Sequence, residues 1–538
     1  MTSKAAAPMV STTYDAVNYA GYPFQQTHPD RLATLATLFG LSPAPVTSCR
    51  VLELGCGEGA NLIPMAFGLP ESQFVGIDLA STPINKGQTK IAELGLTNIE
   101  LRCMDIMAAD ESFGQFDYIV AHGVYSWVPA EVRERMLALC GELLAPQGVA
   151  FISYNAYPGY HLRQMAREMM LFHVRGIETP MVRVEQGLAL LKLLLMKFPN
   201  AEALNSDLYG QVLKEQLERM LEYRHSEQVF HDELSTVNAP FYFHEFMTHA
   251  EQHGLQYLAE ANYFEMQDYL YPTPIRDFLR QIGPDQVVLK EQYLDFLKCR
   301  GFRQTLLCRD DLKIDRQPDP QVLKNFYLQS SARPVSASPD LKAGIVEEFR
   351  GQLGAKLQTD QPLAKAALLH LGRVSPRALR WDELVAAVNQ RLVEVTTDDS
   401  ENAGDREAVL AEIIHAAVGA GLVQLHLYQP SLVYEASERP LASRLARFQA
   451  SRGEVVTNLL HQNVELDDAL SRRLVELLDG TRDRAALCDA LYCFVEEEGV
   501  ASLPSSAPGS DAPAIHELLA GKLEENLKKC AQMALLVG

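Results

Sequence analysis

Positive charge is scarce in this chain. Its 48 lysines and arginines face 69 aspartates and glutamates, a net charge of −21, whereas a general nucleic-acid binder carries a basic footprint. That balance argues against nucleic acid as a partner and suits a cationic one. The cysteines, Cys49, Cys56, Cys103, Cys140, Cys299, Cys308, Cys488, Cys493 and Cys530, are odd in number and show neither C-x-x-C pairs nor zinc-ligand spacing. No metal site and no disulfide framework is therefore expected, and the thiols read as reduced, in a cytoplasmic protein. No membrane-length apolar run exists either: the most apolar stretch, LALLKLLLMKF from Leu188 to Phe198, carries Lys192 and Lys197 and falls well short of the ~20 residues needed to span a bilayer. No charged start followed by an apolar core marks a secretory signal. HDEL, His231 to Leu234, is internal and has no meaning as a retention signal.

What the chain does have is VLELGCGEGANL, Val51 to Leu62. Val51, Leu52 and Leu54 make a short apolar strand, and Gly55, Gly57 and Gly59 then allow the backbone to approach a ligand closely. A helix is expected from about Ala60, its free N–H groups facing any anion held over the glycines. The next strand, QFVGIDLA, ends in Asp78, an acceptor for two ribose hydroxyls, with Leu79 beside it. Gly55-x-Gly57-x-x-Ala60 also fits a dinucleotide fingerprint. Glu53 tips the balance, because an acid at that place suits a ligand with a cationic amine and is awkward beside a pyrophosphate. S-adenosylmethionine has such an amine, and its carboxylate fits the helix N-terminus.

Around this centre the chain reads as alternating strands and helices, the pattern of a parallel sheet with ligands at the C-terminal strand ends. Tyr14, Tyr19, Tyr22 and Phe24 form an aromatic arm ahead of a helix from Pro29 to Phe39, and residues 1–12 read as disordered. A helix from Pro83 to Leu94, with Ser81 as N-cap, leads to strand Ile99 to Asp105, whose end offers Met104, Asp105 and Ile106 to an adenine. Strand Phe116 to Gly123 ends in Ala121 and His122, and VAFISYNAYPGYH ends its strand near Tyr154 and Asn155. QYLAEANYF and GFRQTLLCR supply strands six and seven. The domains expected are a cofactor-binding core from residues 1–170 and 235–310, a helical lid from 171–234, a linker from 311–340, and two winged-helix-like units, 341–436 and 437–538. In the first of these units LVQLHLY and SLVYEA are expected to pair as strands. Neither unit carries a basic stripe, so they read as interaction modules.

VLELGCGEG, VGIDLA, Met104–Asp105 and FDYIVAHG together resemble the class I S-adenosylmethionine-dependent methyltransferases. More narrowly, PFQQTHPDRL, FDYIVAHGVYSWVP, SYNAYPGYH, HDEL, HGLQYLAEA and FRQTLLC are similar to bacterial enzymes with a methyltransferase regulatory domain, a group that includes rickettsial protein-lysine methyltransferases acting on outer-membrane proteins. The resemblance implies a Rossmann-like α/β fold with a seven-stranded sheet, S-adenosyl-L-methionine as cofactor, and a protein lysine as acceptor. A small-molecule acceptor, an oxidoreductase and a non-catalytic module stand as alternatives. The cofactor-binding set is Glu53, Gly55, Cys56, Gly57, Gly59, Asp78, Leu79, Met104, Asp105, Ile106, Ala121 and His122.

Methyl transfer from a sulfonium is an in-line displacement, so the acceptor must be held near the methyl carbon. A lysine amine, which in water titrates near about 10.4, must first lose a proton. Candidates for that work are Tyr154, Asn155, His122, Tyr125 and Asp232. Each also has an ordinary reading, the aromatics as core and HDEL as a helix cap. A homodimer is compatible with this composition. S-adenosylhomocysteine is expected to raise the melting temperature of the chain and NADH to leave it unchanged; the reverse in a thermal-shift assay would return the glycines to a dinucleotide.

Overall fold

The structure is a computed structural model that describes residues 12–269, 271–351, 354–393, 403–498 and 512–537. Most of the start expected to be disordered, and most of the GVASLPSSAPGSDAP loop, lie outside the described residues. At the centre is a seven-stranded sheet of β1 (Arg50–Leu54), β2 (Gln73–Asp78), β3 (Ile99–Cys103), β4 (Phe116–Ala121), β5 (Leu144–Asn155), β6 (Leu255–Glu260) and β7 (Phe302–Arg309), in the order 3-2-1-4-5-7-6. The first five strands run parallel, with β1 between β2 and β4. The expectation of a wholly parallel sheet is corrected at the far edge, where β7 runs antiparallel to both β5 and β6. That reversal follows from the connection: the chain leaves β6, builds helix Val287–Lys298, and turns back at Cys299 and Arg300 straight into β7.

β1 is buried from Val51 to Leu54 because helices cover both faces of a parallel sheet. Its alternate residues enter two cores. Val51, Val120 and Phe151 pack under helix Pro29–Leu38, and Leu52, Leu54, Ile152 and Tyr154 pack under helices Ala130–Leu143 and Phe243–Glu251. The helix after the glycines begins at Leu62, two residues later than expected. Helix Ser81–Leu94 starts at Ser81 itself, with Ala80 as its cap residue, so Ser81 is not the N-cap, and it stops at Gly95 in the left-handed region.

Residues 311–340, expected to be a linker, take part in the fold. Tyr327–Gln329 is the central strand of a small sheet between Leu379–Arg380 and Gln424–His426. The partner of LVQLHLY is thus this segment, and SLVYEA forms no strand. Leu328 and Ala332 sit among apolar side chains that no solvated linker would bury. One apolar cluster runs from Leu32 through Phe151 to Leu328, Leu371 and Leu425, which ties this unit to the sheet. The hairpin of the last unit, Val455–Thr457 with Asn463–Glu465, lies where EVVTNLLHQNVELD predicts it. Among the described residues no helix is long and apolar enough to cross a membrane.

Five helices, Tyr160–His173, Pro180–Leu195, Ala201–Asn205, Leu208–Leu221 and Ser226–Glu233, fill the stretch between β5 and helix Phe243–Glu251. Their own core contains Met170, Leu191, Leu217 and Phe230. Glu233 ties the group together. It is fully buried and accepts from Arg163 at 2.7 Å and from Arg219 at 2.9 Å. Burial alone would raise its pKa, but the two guanidiniums outweigh it and hold the carboxyl below its usual range. Its contribution is therefore present at neutral pH and lost as acid protonates it. Glu233→Gln is expected to destabilise these helices by about 3 kcal/mol, read as a lower melting temperature at pH 7 and a narrower gap from wild type near pH 3.

Candidate cofactor and acceptor site

Three glycines with positive φ carry the chain from β1 into its helix, and they do different jobs. A Cβ on Gly55 would come within 2.5 Å of Val124, and one on Gly59 within 2.9 Å of Leu101. Those glycines are needed for packing. A Cβ on Gly57 would meet nothing within 4 Å, so Gly57 is the one that faces open space. The turn is held by Asp78, whose two oxygens accept from Gly57 N and Ala80 N, each at 2.8 Å. Each oxygen keeps a further lone pair for a ribose hydroxyl. Burial raises the pKa of Asp78, against the pull of these backbone donors.

Glu53 stands at the end of β1, 5% exposed. Asn61 Nδ2 donates to its Oε1 at 2.9 Å, while its Oε2 is buried without a partner. Burial pushes its carboxyl up to about 8. An orphaned acidic oxygen beside an open glycine turn is the environment that an ammonium group completes.

The other cofactor candidates fall at the same strand ends. Leu79 is exposed, Met104 half-buried, and Asp105 exposed beyond the end of β3, where its carboxylate caps the turn Ile106–Ala108 through Met107 N. Ile106 and Ala121 are buried packing residues. The Cys56 side chain is buried, and its Sγ lies against the Gly76 backbone. Burial raises its thiol pKa well above the usual value, so only its backbone is available to a ligand.

The acceptor candidates separate by sheet face. His122, Ser153 and Asn155 share the face of Glu53. His122 Nδ1 meets Ser153 Oγ at 2.8 Å, and its ring lies edge-on to Phe24 with centroids 4.0 Å apart. Burial lowers the His122 pKa to about 4, so its imidazole is neutral. Asn155 is 2% exposed and its Nδ2 has no partner. Tyr125 and Tyr154 face the opposite way and are corrected to core residues. The Tyr125 hydroxyl meets His249 Nδ1 at 2.6 Å, and Tyr154 stacks on Phe246 with its hydroxyl 3.2 Å from Thr305. Strand alternation decides this, since a residue next to Asn155 must point through the sheet. Behind Tyr125, Glu134 bridges His249 at 2.7 Å and His253 at 3.0 Å, a trio whose ligand atoms lie within 4.8 Å of one another.

The aromatic arm reaches Asp232. Tyr19 donates to it at 3.4 Å, Tyr14 stacks on His231 at 4.2 Å, and His231 Nε2 reaches Val17 O at 3.0 Å. Asp15 in turn accepts from Thr82 N on the helix after Asp78, so the arm crosses from the cofactor strands to the helical group. Sequence reasoning missed Asn61, Ser153 and Thr27. Ser153 was within reach of it, because it alternates with Asn155; Asn61 carried no signal.

Three family models match this chain: a methyltransferase domain over residues 51–148, a predicted methyltransferase regulatory domain over 225–309, and a PKMT C-terminal winged helix domain over 438–535. An uncharacterised protein of Rickettsia prowazekii is 33% identical over 496 residues, covering 90% of this chain and 86% of that one. The structure of PKMT2 from Rickettsia typhi, also solved in complex with AdoHcy, superposes with a TM-score of 0.85 at 29% identity, over 97% of this chain and all of that one. The chain belongs to this methyltransferase family. It is an S-adenosylmethionine-dependent enzyme, and the dinucleotide reading of its glycines is set aside. The residues fit the cofactor: Glu53 Oε2, which has no partner among the described residues, would take the ammonium, the open space over Gly57 would admit its approach, and Asp78 would accept from the ribose.

Two outcomes follow for the methyltransferase. Gly57→Ala, whose methyl enters the open space, should abolish S-adenosylhomocysteine binding in calorimetry and leave the far-UV spectrum unchanged. Glu53 must ionise to hold an ammonium, so wild-type affinity should rise from pH 6 to 7.5 by up to about tenfold per unit, whereas Glu53→Gln should bind weakly with little pH dependence.

Proposed function

We propose that the methyl acceptor is a lysine side chain of a protein. The observation that carries this reading is Asp232. It is half-buried beside Tyr19, which donates to it at 3.4 Å, and among the described residues it makes no ion pair within 4 Å, whereas its neighbour Glu233 takes both Arg163 and Arg219. Burial is the largest influence on Asp232 and lifts its carboxyl to about 6, against the pull of Arg163 and Arg219, so at neutral pH it is an anion that these guanidiniums influence without contacting. A lysine ammonium supplies the contacting cation. The match to a PKMT C-terminal winged helix domain and the likeness to PKMT2 from Rickettsia typhi support the same reading. An open groove of about 760 Å³ along the helical group, bordered by Tyr157, His161, Met165, Met169 and Phe172, begins two residues beyond Asn155 and has the room to receive a polypeptide.

When bound, S-adenosylmethionine supplies an electrophilic methyl. Asp232 draws the ammonium inward, the rings of Tyr14, Tyr19 and Phe24 displace water from it, which lowers its pKa, and the Asp232 carboxylate takes the proton that the amine gives up before its lone pair attacks the methyl. The Asn155 carboxamide is placed to orient the nitrogen, and neutral His122 adds no competing charge. The helices at 171–234 then act as a lid that shapes the acceptor channel.

Asp232→Asn is expected to lower transfer to a lysine-rich protein by about 10- to 100-fold, with S-adenosylhomocysteine affinity within twofold of wild type. In the wild type the acid limb of the rate profile should fall near pH 6, and the variant should lack it. Undiminished transfer by Asp232→Asn would remove the lysine reading.

A further inference from the structure

The hairpin of the last domain reaches Asn61, the residue that hydrogen-bonds Glu53. The hairpin turn is rigidly built: Asn458 Oδ1 accepts from Leu460 N and Gln462 N, each at 2.9 Å, and Asn458 Nδ2 donates to Met533 O at 3.0 Å. At the tip, His461 holds φ at +57°, a region that L-residues with side chains rarely adopt. It is 5% exposed. Its Nε2 lies 3.0 Å from Asn61 Oδ1, and its ring lies 5.2 Å from that of His28.

The partners of Asn61 fix which way its amide points. Phe24 N, which can only donate, is 3.0 Å from Oδ1, so Oδ1 is the acceptor and Nδ2 faces Glu53 at 2.9 Å and Thr27 Oγ1 at 3.0 Å. His461 must then present Nε2–H. The hairpin is docked by further contacts: Gln462 donates to Gln25, Asn463 Nδ2 donates to Pro23 O at 3.3 Å, and Glu465 pairs with Arg224 of the helical group. A strained residue, buried 400 positions along the chain from its partner, with its hydrogen bond spent on the amide that holds Glu53, is placed for the site and not for its own domain.

We propose that His461 is a positioning residue of the S-adenosylmethionine site: it clamps the Asn61 amide so that Nδ2 stays on Glu53, and the last domain thereby forms part of the cofactor pocket. The proposal holds whatever the acceptor is. It assigns this domain a task within the cofactor site, where the sequence suggests only an interaction module.

The test uses the full-length chain. His461→Gly keeps the left-handed turn unstrained and deletes the imidazole; His461→Asn tolerates the same φ and returns an N–H donor. Arg224→Ala breaks the ion pair that ties the hairpin to the helical group without touching Asn61. His461→Gly should weaken S-adenosylhomocysteine binding about three- to tenfold, the loss of one hydrogen bond, and raise KM for S-adenosylmethionine by the same factor with kcat within twofold. His461→Asn should recover most of the affinity, and Arg224→Ala should retain it. Wild-type affinity in His461→Gly would overturn the proposal. So would equal losses in His461→Asn and Arg224→Ala, which would mean that only domain docking matters. Should His461→Gly fail to fold, the contrast between the other two variants decides.

Discussion

A carboxylate buried at the end of the central strand sets the terms for everything built around it. Glu53 is nearly inaccessible to water and has one hydrogen bond of its own, from Asn61. An acid in that position must be neutralised, paired, or hydrogen-bonded, and here the protein leaves half of the requirement to a ligand. The amide that supplies the one bond is gripped from three sides by Phe24, Thr27 and His461. These come from the aromatic arm, from the turn before the first long helix, and from the last domain. The support of one buried acid therefore reaches across most of the chain.

The aromatic arm and the helix after it are the hub of these connections. Asp30, near the start of helix Pro29–Leu38, accepts from His426 at 2.7 Å, Leu427 N at 2.8 Å and Tyr428 N at 2.9 Å, which binds the middle unit. A few residues earlier the arm meets the last hairpin, and earlier still it meets Asp15's partner Thr82 and the helical group at His231. Cofactor strands, acceptor-side helices and the winged-helix domain are thus joined through about thirty residues. In such an arrangement the charge on Asp232 and the order of the arm are linked, because Tyr19 and His231 hold the arm against the helical group.

Buried charges elsewhere are treated differently, and the contrast is informative. Arg303 on β7 is fully buried among Asp295, Glu260 and Glu291, with its hydrogen bonds met by those acids. Glu233 is likewise matched by two arginines. Both are complete without a ligand and serve the fold. Glu53 Oε2 and Asn155 Nδ2 lie on the same sheet face and have no hydrogen-bond partner among the described residues.

Local pattern determined a good deal of this protein. Glycines cluster where the backbone turns tightly after β1, acids stand at the ends of alternating apolar segments, and the period of those segments separates strands from helices; these are properties of neighbouring residues, and the cofactor class and the α/β sheet were legible in them. The orientation of a side chain across the sheet was legible only in principle: Ser153 and Asn155 share a face and Tyr154 opposes them, yet the register that puts His122 beside Ser153 comes from pairing β4 with β5. The antiparallel last strand, the folding of residues 327–329 into a small sheet, and the withdrawal of Tyr125 into the core each depend on long-range packing. His461 is the extreme case. Nothing around it in the sequence distinguishes it from a loop histidine, and only the docking of one domain on another sets it on Asn61, because a hydrogen bond between residues so far apart in the chain leaves no local trace.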